Sequence, residues 1–290
     1  MSSKTNSIFL ANMMNIEEII NRTLIEDIGE GDHTTLSTVP ADAVKKARMI
    51  AKQAGILCGT EVVAKVFKTV NPNLTVEILL HDGEAIVAGD VILRVSGNAQ
   101  AILTAERTAL NFIQRMSGIA TKTHSLMKKV EGTKAKLLDT RKTTPLLREL
   151  EKYAVKCGGG DNHRFGLFDM ILIKDNHVDY AGGIKAAIVS ANDYLTTHGK
   201  QLQIEIEVRN FAELQEALQT GNIHRIMLDN FTPEQIHTAL GMIGGKYPVE
   251  ASGGITEDNI RQYAETGVDY ISVGALTHHI KSLDISLLAD

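Results

Sequence analysis

IEIEVRNFAELQEALQTGNIHRIMLDNFTPEQIHTALGMI, residues 204–243, is the stretch on which the fold turns. Two short apolar runs, IEIEV at 204–208 and RIMLDN at 225–230, each precede a stretch of helical period, FAELQEALQ at 211–219 and TPEQIHTALGMI at 232–243. A strand-like run followed by a 3.6-residue period, twice in succession, predicts consecutive βα units. The pattern extends both ways. Upstream, AKLLDT (135–140) precedes TPLLRELEKYAVKC (144–157), and MILIKDN (170–176) precedes IKAAIVSANDYL (184–195). Downstream, PVEASG (248–253) precedes TEDNIRQYAE (256–265), and YISVGAL (270–276) closes the series. Six nearly continuous apolar runs alternating with helices predict a parallel sheet covered by helices.

The polar residues discriminate between two architectures. The runs end in Asp139-Thr140-Arg141-Lys142, Lys174-Asp175-Asn176-His177, Glu207, Asp229-Asn230, Ser252-Gly253-Gly254 and Ser272-Val273-Gly274-Ala275. A doubly wound sheet concentrates its site at one switch point, whereas a barrel gathers every strand end around one mouth. Six contributing ends favour the barrel, and six strands in place of eight predict an incomplete or open one.

The chain before residue 116 is different in character. A helical stretch around Asn15–Leu24 leads into the turn-rich EDIGEGDHTT (26–35), then β-like runs at Lys46–Lys52, Leu74–Leu80 and Val91–Val95. A helix, LTAERTALNFIQRM, is expected over 103–116. The length of 290 residues suits about two domains, or one large barrel with an appendage. With 43% hydrophobic and 22% charged residues the chain lies far from the disordered range. Thirty basic against 35 acidic residues, net −5, argue against a generic nucleic-acid or anionic-membrane binder. No apolar run approaches the ~18 residues of a membrane span. The patch Ile8–Ala11, broken by Asn12, is too short for a signal-peptide core. Cys58 and Cys157 have no metal-like or redox spacing and read as free thiols of a reducing cytoplasm.

At the mouth, Ser252-Gly253-Gly254 and Val273-Gly274-Ala275 sit where barrels build phosphate sites from exposed backbone N–H groups. Tight turns needing glycine are the alternative. Between Thr133 and Lys174 nine Lys or Arg face five acids, a local +4. Arg148, Lys152 and Lys156 follow a helix face, whereas Arg141, Lys142, Arg164 and Lys174 fall at strand ends or in the loop CGGGDNHR. Converging cations imply a polyanionic substrate. Glu207 and Asp229 end adjacent strands. They suit Mg²⁺ on a diphosphate, ribose hydroxyls, or positive charge developing on a sugar, and the alternative is neutralisation of the lysines. Glu205, two residues from Glu207, points the same way, so the pattern does not separate them. His163 lies in the Gly-rich loop, with substrate contact and a purely local role both open. His177 reads as a hydrogen-bonded structural residue and His278-His279 as solvated.

EDIGEGDHTT, AERTALNFIQRMSGIAT, DTRKTTPLLRELEKYAVKCGGGDNHR, ILIKDNH, MLDNF, EASGGI and SVGALTHH, in this order, resemble the carboxylating nicotinate-nucleotide diphosphorylases, or quinolinate phosphoribosyltransferases. The block from Asp139 to His177 is the most specific. The resemblance implies an α/β fold: an N-terminal α/β domain, here 1–116, then an incomplete α/β barrel, 117–276, and a C-terminal tail, 277–290, packing back on the first domain. It implies transfer of the phosphoribosyl group of PRPP to quinolinate, giving nicotinate mononucleotide, diphosphate and CO₂ in de novo NAD synthesis, with Mg²⁺, in a homodimer or larger assembly.

By the same resemblance Thr140, Arg141, Lys142, His163, Arg164 and Lys174 would hold quinolinate carboxylates and PRPP phosphates. Lys142, Lys174, Glu207 and Asp229 would be catalytic, with Glu207 and Asp229 near the ribose and the metal. Ser252, Gly253, Gly254, Val273, Gly274 and Ala275 would match the 5′-phosphate loops. Arg107 would reach the neighbouring subunit's site. Arg209 and Asp161 depart from the family pattern, and Arg209 bears on the charge around Glu207. Three rivals remain at this point: a Schiff-base aldolase using Lys142 or Lys174, a non-catalytic phosphate binder, and a phosphoribosyltransferase for another base.

Overall fold

The computed structural model describes residues 16–290, so the patch Ile8–Ala11 and the expected helix start at Asn15 lie outside the described residues. The chain packs into two compact units. The first takes the chain up to His124 together with Thr144–Gly159 and Ile280–Asp290; the second takes Ser125–Thr143 and Gly160–His279.

In the first unit, helices α1 (Ile16–Ile28) and α2 (His33–Thr38) precede strands β1 (Val44–Ala51) and β2 (Gly55–Ile56) and helix α3 (Thr60–Val70). Strands β3 (Thr75–Ile78), β4 (Ala85–Ile86) and β5 (Val91–Asn98) lead into helix α4 (Ala99–Lys129), and α5 (Arg148–Cys157) and β12 (Ile285–Ala289) complete it. The sheet runs β12-β1-β5-β3, antiparallel throughout. EDIGEGDHTT is less turn-like than its composition suggests, because the Asp32 carboxylate accepts the Thr35 N–H at 3.0 Å and starts α2. Helix α3 is unheralded in the sequence. Its Val62, Val63, Val66 and Phe67 are buried at helical spacing, and their β-branched density masks the period.

Helix α4 outruns the expected 103–116 at both ends, so the boundary expected after residue 116 falls inside it. Ser117, Gly118, Thr121 and Thr123 are weak helix formers, and tertiary packing overrides them. A Cβ on Gly118 would run into the Lys281 carbonyl, so glycine lets the C-terminal segment lie against the helix. Leu283 N–H donates to Gln114 O at 2.9 Å, and β12 then pairs with β1. Cys58 and Cys157 are free thiols. They come within 4.8 Å of Asp82, whose carboxylate accepts the Thr60 amide and hydroxyl and the Tyr153 hydroxyl.

The second unit contains β6 (Lys136–Leu138), β7 (Ile171–Ile173), β8 (Ile204–Val208), β9 (Arg225–Asp229), β10 (Val249–Ser252) and β11 (Tyr270–Ser272). Between and after them come α6 (Asp175–Ala181), α7 (Ile184–Thr197), α8 (Phe211–Thr220), α9 (Pro233–Ile243), α10 (Ile260–Glu265) and α11 (Ala275–His278). The six strands are parallel, in the order β6-β11-β10-β9-β8-β7. That order is a ring opened at one junction, between β6 and β7: the incomplete barrel. At the gap Asp161 makes a parallel bridge to Leu138, with Asp161 N–H donating to Leu137 O at 2.8 Å. One residue of the Gly-rich loop thus occupies the edge of β6 and anchors the segment that carries His163 and Arg164.

All five residues of β8 are buried, Ile204, Ile206 and Val208 on one face and Glu205 and Glu207 on the other. Helices α8 and α9 start sharply because Asn210 accepts the Glu213 N–H, and Thr232 and Gln235 form a capping box ahead of Pro233.

Candidate active site

Parallel strands put all their carboxyl ends on one edge, so Lys174, Glu207, Asp229, Ser252 and Val273 follow from topology. Lys174 Nζ lies 3.2 Å from Glu207 Oε2, and the Asp175 N–H donates to Glu207 Oε1 at 3.4 Å. Glu207 is therefore gripped at both oxygens and is 5% exposed. Asp229 is freer. Asn230 Nδ2 donates to its Oδ2 at 2.7 Å, and burial raises its carboxyl above the usual range against the pull of Asn230 and Lys174. Asn230 adopts φ 58°, its N–H donating to Ser252 O at 2.8 Å. A Cβ on Gly253 would strike the Asn230 side chain, so that glycine is required for space as well as for its φ of 87°. Gly254, φ 64° with open surroundings, is required for backbone conformation alone.

Lys142 is set by the neighbouring strand end. Its N–H donates to Thr140 Oγ1 at 3.1 Å, and Thr277 Oγ1 donates to its carbonyl at 2.8 Å. A Cβ on Gly274 would come within 3.1 Å of Lys142 Cδ and 2.8 Å of His278 Nε2, so glycine leaves room for both. His278 stays exposed, its pKa lowered by burial, by His279 and by Lys142. Arg141 is exposed, whereas Arg164 is half-buried, its Nη1 donating to Met170 O at 3.2 Å. Burial and then Arg141 lower the Arg164 pKa, so two like charges share this part of the mouth.

Of the residues singled out from the sequence, Arg141, Lys142, Arg164, Lys174, Glu207 and Asp229 thus belong to one barrel unit with the two Gly-containing turns. Arg107 is exposed on α4, in the first unit. His177 is structural, its Nδ1 accepting the Lys174 N–H at 3.0 Å. Arg209 is taken up by Asp179 at 2.9 Å and Glu213 at 2.7 Å, away from Glu207.

Beneath the mouth lies a group that sequence reading caught only in part. The His163 imidazole is 6% exposed, with Nδ1 accepting the Arg164 N–H at 2.7 Å and Nε2 3.0 Å from Glu205 Oε2 and 3.5 Å from Glu250 Oε2. Glu205 and Glu250 are fully buried. Arg225 Nη1 sits 3.2 Å from Glu250 and 3.9 Å from Glu205, and its guanidinium stacks 4.3 Å over the Tyr270 ring. The His163 N–H donates to Asp139 Oδ1 at 3.0 Å, and Asn162 also donates to this buried carboxylate. Glu205 therefore belongs with Glu250 rather than with Glu207. Glu250 and Arg225 escaped notice, although counting back by two from Ser252 and by four from Asp229 finds them on the inward face, and Asp139 was read only as part of a strand end.

Burial pushes Glu205 up to about 7, and burial followed by Glu205 pushes Glu250 up to about 8. An unfolded Glu titrates near ~4.3, so the fold holds these protons more tightly than the unfolded chain. The resulting stability is complete below the unfolded value and is lost as pH rises through about 7 and about 8. Tm should therefore fall as pH rises toward about 8 and level off above it. Calorimetry should show a shallower fall for Glu250→Gln; parallel curves would exclude the pair as the cause.

Residues 32–117 match the family model for the quinolinate phosphoribosyl transferase N-terminal domain, and residues 119–288 the model for its C-terminal domain. The chain is 41% identical to Nicotiana tabacum quinolinate phosphoribosyltransferase (decarboxylating) 1b, over 95% of this chain and 82% of the relative. It is also 41% identical to the probable nicotinate-nucleotide pyrophosphorylase (carboxylating) of Bacillus subtilis, over 95% and 94%. The solved nicotinate-nucleotide pyrophosphorylase of Francisella tularensis superposes with TM-score 0.88 at 41% identity, covering 95% of this chain and 96% of that one. That of Ehrlichia chaffeensis gives 0.88 at 36% identity, over 96% and 100%. The chain belongs to the quinolinate phosphoribosyltransferase family.

Proposed function

We propose that the strand-end mouth transfers the 5-phosphoribosyl group of PRPP to the ring nitrogen of quinolinate, with loss of CO₂, to give nicotinate mononucleotide and diphosphate for NAD synthesis. The observation that carries the residue assignment is a set of cations, Arg141, Lys142, Arg164 and Lys174, on the same strand-end edge as the carboxylates Glu207 and Asp229. Quinolinate is a dianion and PRPP a polyanion, and each needs cations in place. Arg141, Arg164 and Lys174, with Thr140, hold the acceptor carboxylates. Lys142 serves the diphosphate. The turns Ser252–Gly254 and Val273–Ala275 hold the 5′-phosphate with backbone N–H groups.

The ring nitrogen needs no base, since its lone pair attacks C1′ as diphosphate departs. The protein aligns the two in line and stabilises the oxocarbenium-like ribosyl centre with Asp229 and Glu207. Once the nitrogen is alkylated, the C–C bond to the 2-carboxylate breaks, its electron pair stays at C2 beside the cationic nitrogen, CO₂ leaves, and C2 takes a proton from water. Mg²⁺ fits this donor set through Asp229, whose half-buried carboxylate is incompletely compensated; Glu207, gripped by Lys174 and the Asp175 amide, suits only an indirect contact. The ion, when bound, neutralises diphosphate. Arg107, exposed on α4, is assigned to the neighbouring subunit's site in a homodimer. The free thiols support a reducing cytoplasmic setting. No helix among the described residues is long and apolar enough to cross a membrane.

Acceptor choice tests this reading. Nicotinate lacks the 2-carboxylate and leaves cations unpaired, so kcat/KM with PRPP and Mg²⁺ should fall about two orders of magnitude below quinolinate, roughly 3 kcal/mol. Equal turnover of the two acids would overturn the acceptor assignment.

A further inference from the structure

We propose that Glu205 and Glu250, braced by Arg225, are positioning residues for acceptor binding: they fix the His163 imidazole, and through it the Arg164 backbone, from beneath the mouth. The proposal rests on the reading that Arg164 holds a quinolinate carboxylate.

His163 is held at three points. Its backbone N–H donates to Asp139, Nδ1 accepts the Arg164 N–H at 2.7 Å, and Nε2 faces Glu205 at 3.0 Å and Glu250 at 3.5 Å. Because Nδ1 accepts, the ring proton sits on Nε2, pointing at the two carboxyls. An imidazole hydrogen-bonded at Nδ1, with Nε2 within ion-pair distance of two buried carboxyls and 6% exposed, acts as a strut between the barrel interior and the loop, and it leaves carboxylate capture to Arg164. Two carboxyls on inward positions of β8 and β10 need explaining, since apolar residues of similar volume would serve stability as well or better. Arg225 supplies the counter-charge on their far side, itself held by the face of Tyr270. The loop is further pinned by the Asp161 bridge and the Arg164–Met170 contact, and the carboxyl pair approaches the His163 ring from the barrel interior.

Steady-state kinetics on the full-length enzyme separates positioning from bulk stability. Glu250→Leu removes one of the two carboxyls facing His163, and with it the partner of Arg225, and should raise KM for quinolinate about tenfold, with KM for PRPP within about twofold of wild type. Glu250→Gln keeps the shape and one acceptor oxygen and should return KM for quinolinate to within about threefold. A structural role alone would move both KM values together or neither, and would overturn the proposal. Should Glu250→Leu fail to fold, ¹⁵N-histidine NMR of the wild type decides: His163 should remain the Nε2–H tautomer with and without quinolinate, and a proton appearing on Nδ1 would overturn it. Arg164→Ala separates the two levels. If it leaves KM for quinolinate unchanged, the acceptor reading fails. If it raises that KM while Glu250→Leu does not, the positioning proposal alone fails.

Discussion

Asp229→Asn is expected to lower kcat by about two to three orders of magnitude while KM for quinolinate stays within a few-fold of wild type. The substitution is isosteric, and the new side chain can keep its carbonyl oxygen toward Asn230 Nδ2, which now donates to Asp229 Oδ2 at 2.7 Å. The αL turn at Asn230 and the close fit of Gly253 should survive. On the proposed function, what disappears is a negative charge where positive charge would grow on the ribosyl ring, an interaction strongest in the transition state. Glu207→Gln should behave differently. Both oxygens of Glu207 accept, one from Lys174 Nζ and one from the Asp175 N–H, and an amide can satisfy only one of them. Lys174 then loses its anchor, so kcat should fall and KM for quinolinate should rise together. Rapid-quench measurement of the chemical step, with both KM values, checks the pair. Near-normal kcat in both variants would reduce the carboxylates to neutralising the lysines.

The contrast between these carboxylates shows what a sequence reveals about a barrel site. Residues at the ends of apolar runs were legible, because parallel topology converts position along a strand into position at the mouth. Lys174, Glu207, Asp229 and the Gly turns needed nothing else. Glu205 could not be separated from Glu207 by periodicity, since both face inward; depth decides, and depth depends on the register Glu205↔Arg225 and Met227↔Glu250. Glu250 hid inside PVEASG and Arg225 opened an apolar run, so neither resembled a strand end. His163 lies in a loop whose path follows the Asp161 bridge at the barrel gap, a tertiary contact without a local signal. The six-strand count did announce the open barrel, whereas α3 and the second half of α4 were obscured by β-branched, Gly and Ser residues that packing overrides.

Arg107 raises a question of assembly that single-chain variants cannot answer. It is exposed on α4, a helix whose Ala105, Thr108, Ala109 and Leu110 are buried, so the bland role of a surface arginine on an amphipathic helix is available to it. If instead it completes the neighbouring subunit's mouth, as the family resemblance implies, each site in a two-fold dimer draws Lys142 from one chain and Arg107 from the other. Arg107→Ala and Lys142→Ala homodimers should each lose about two orders of magnitude in kcat/KM, because each leaves a substrate anion unpaired at every site. In a heterodimer of the two variants, one site combines both intact residues and the other combines both lesions. Random subunit exchange makes half the dimers mixed, so about a quarter of wild-type activity should return on mixing two nearly inactive preparations. Differently tagged chains purified in tandem verify the mixed dimer and should show about half of wild-type activity. Verified heterodimers without recovery would place Arg107 in its own chain's site or outside catalysis, since two lesions within one site cannot complement each other across subunits.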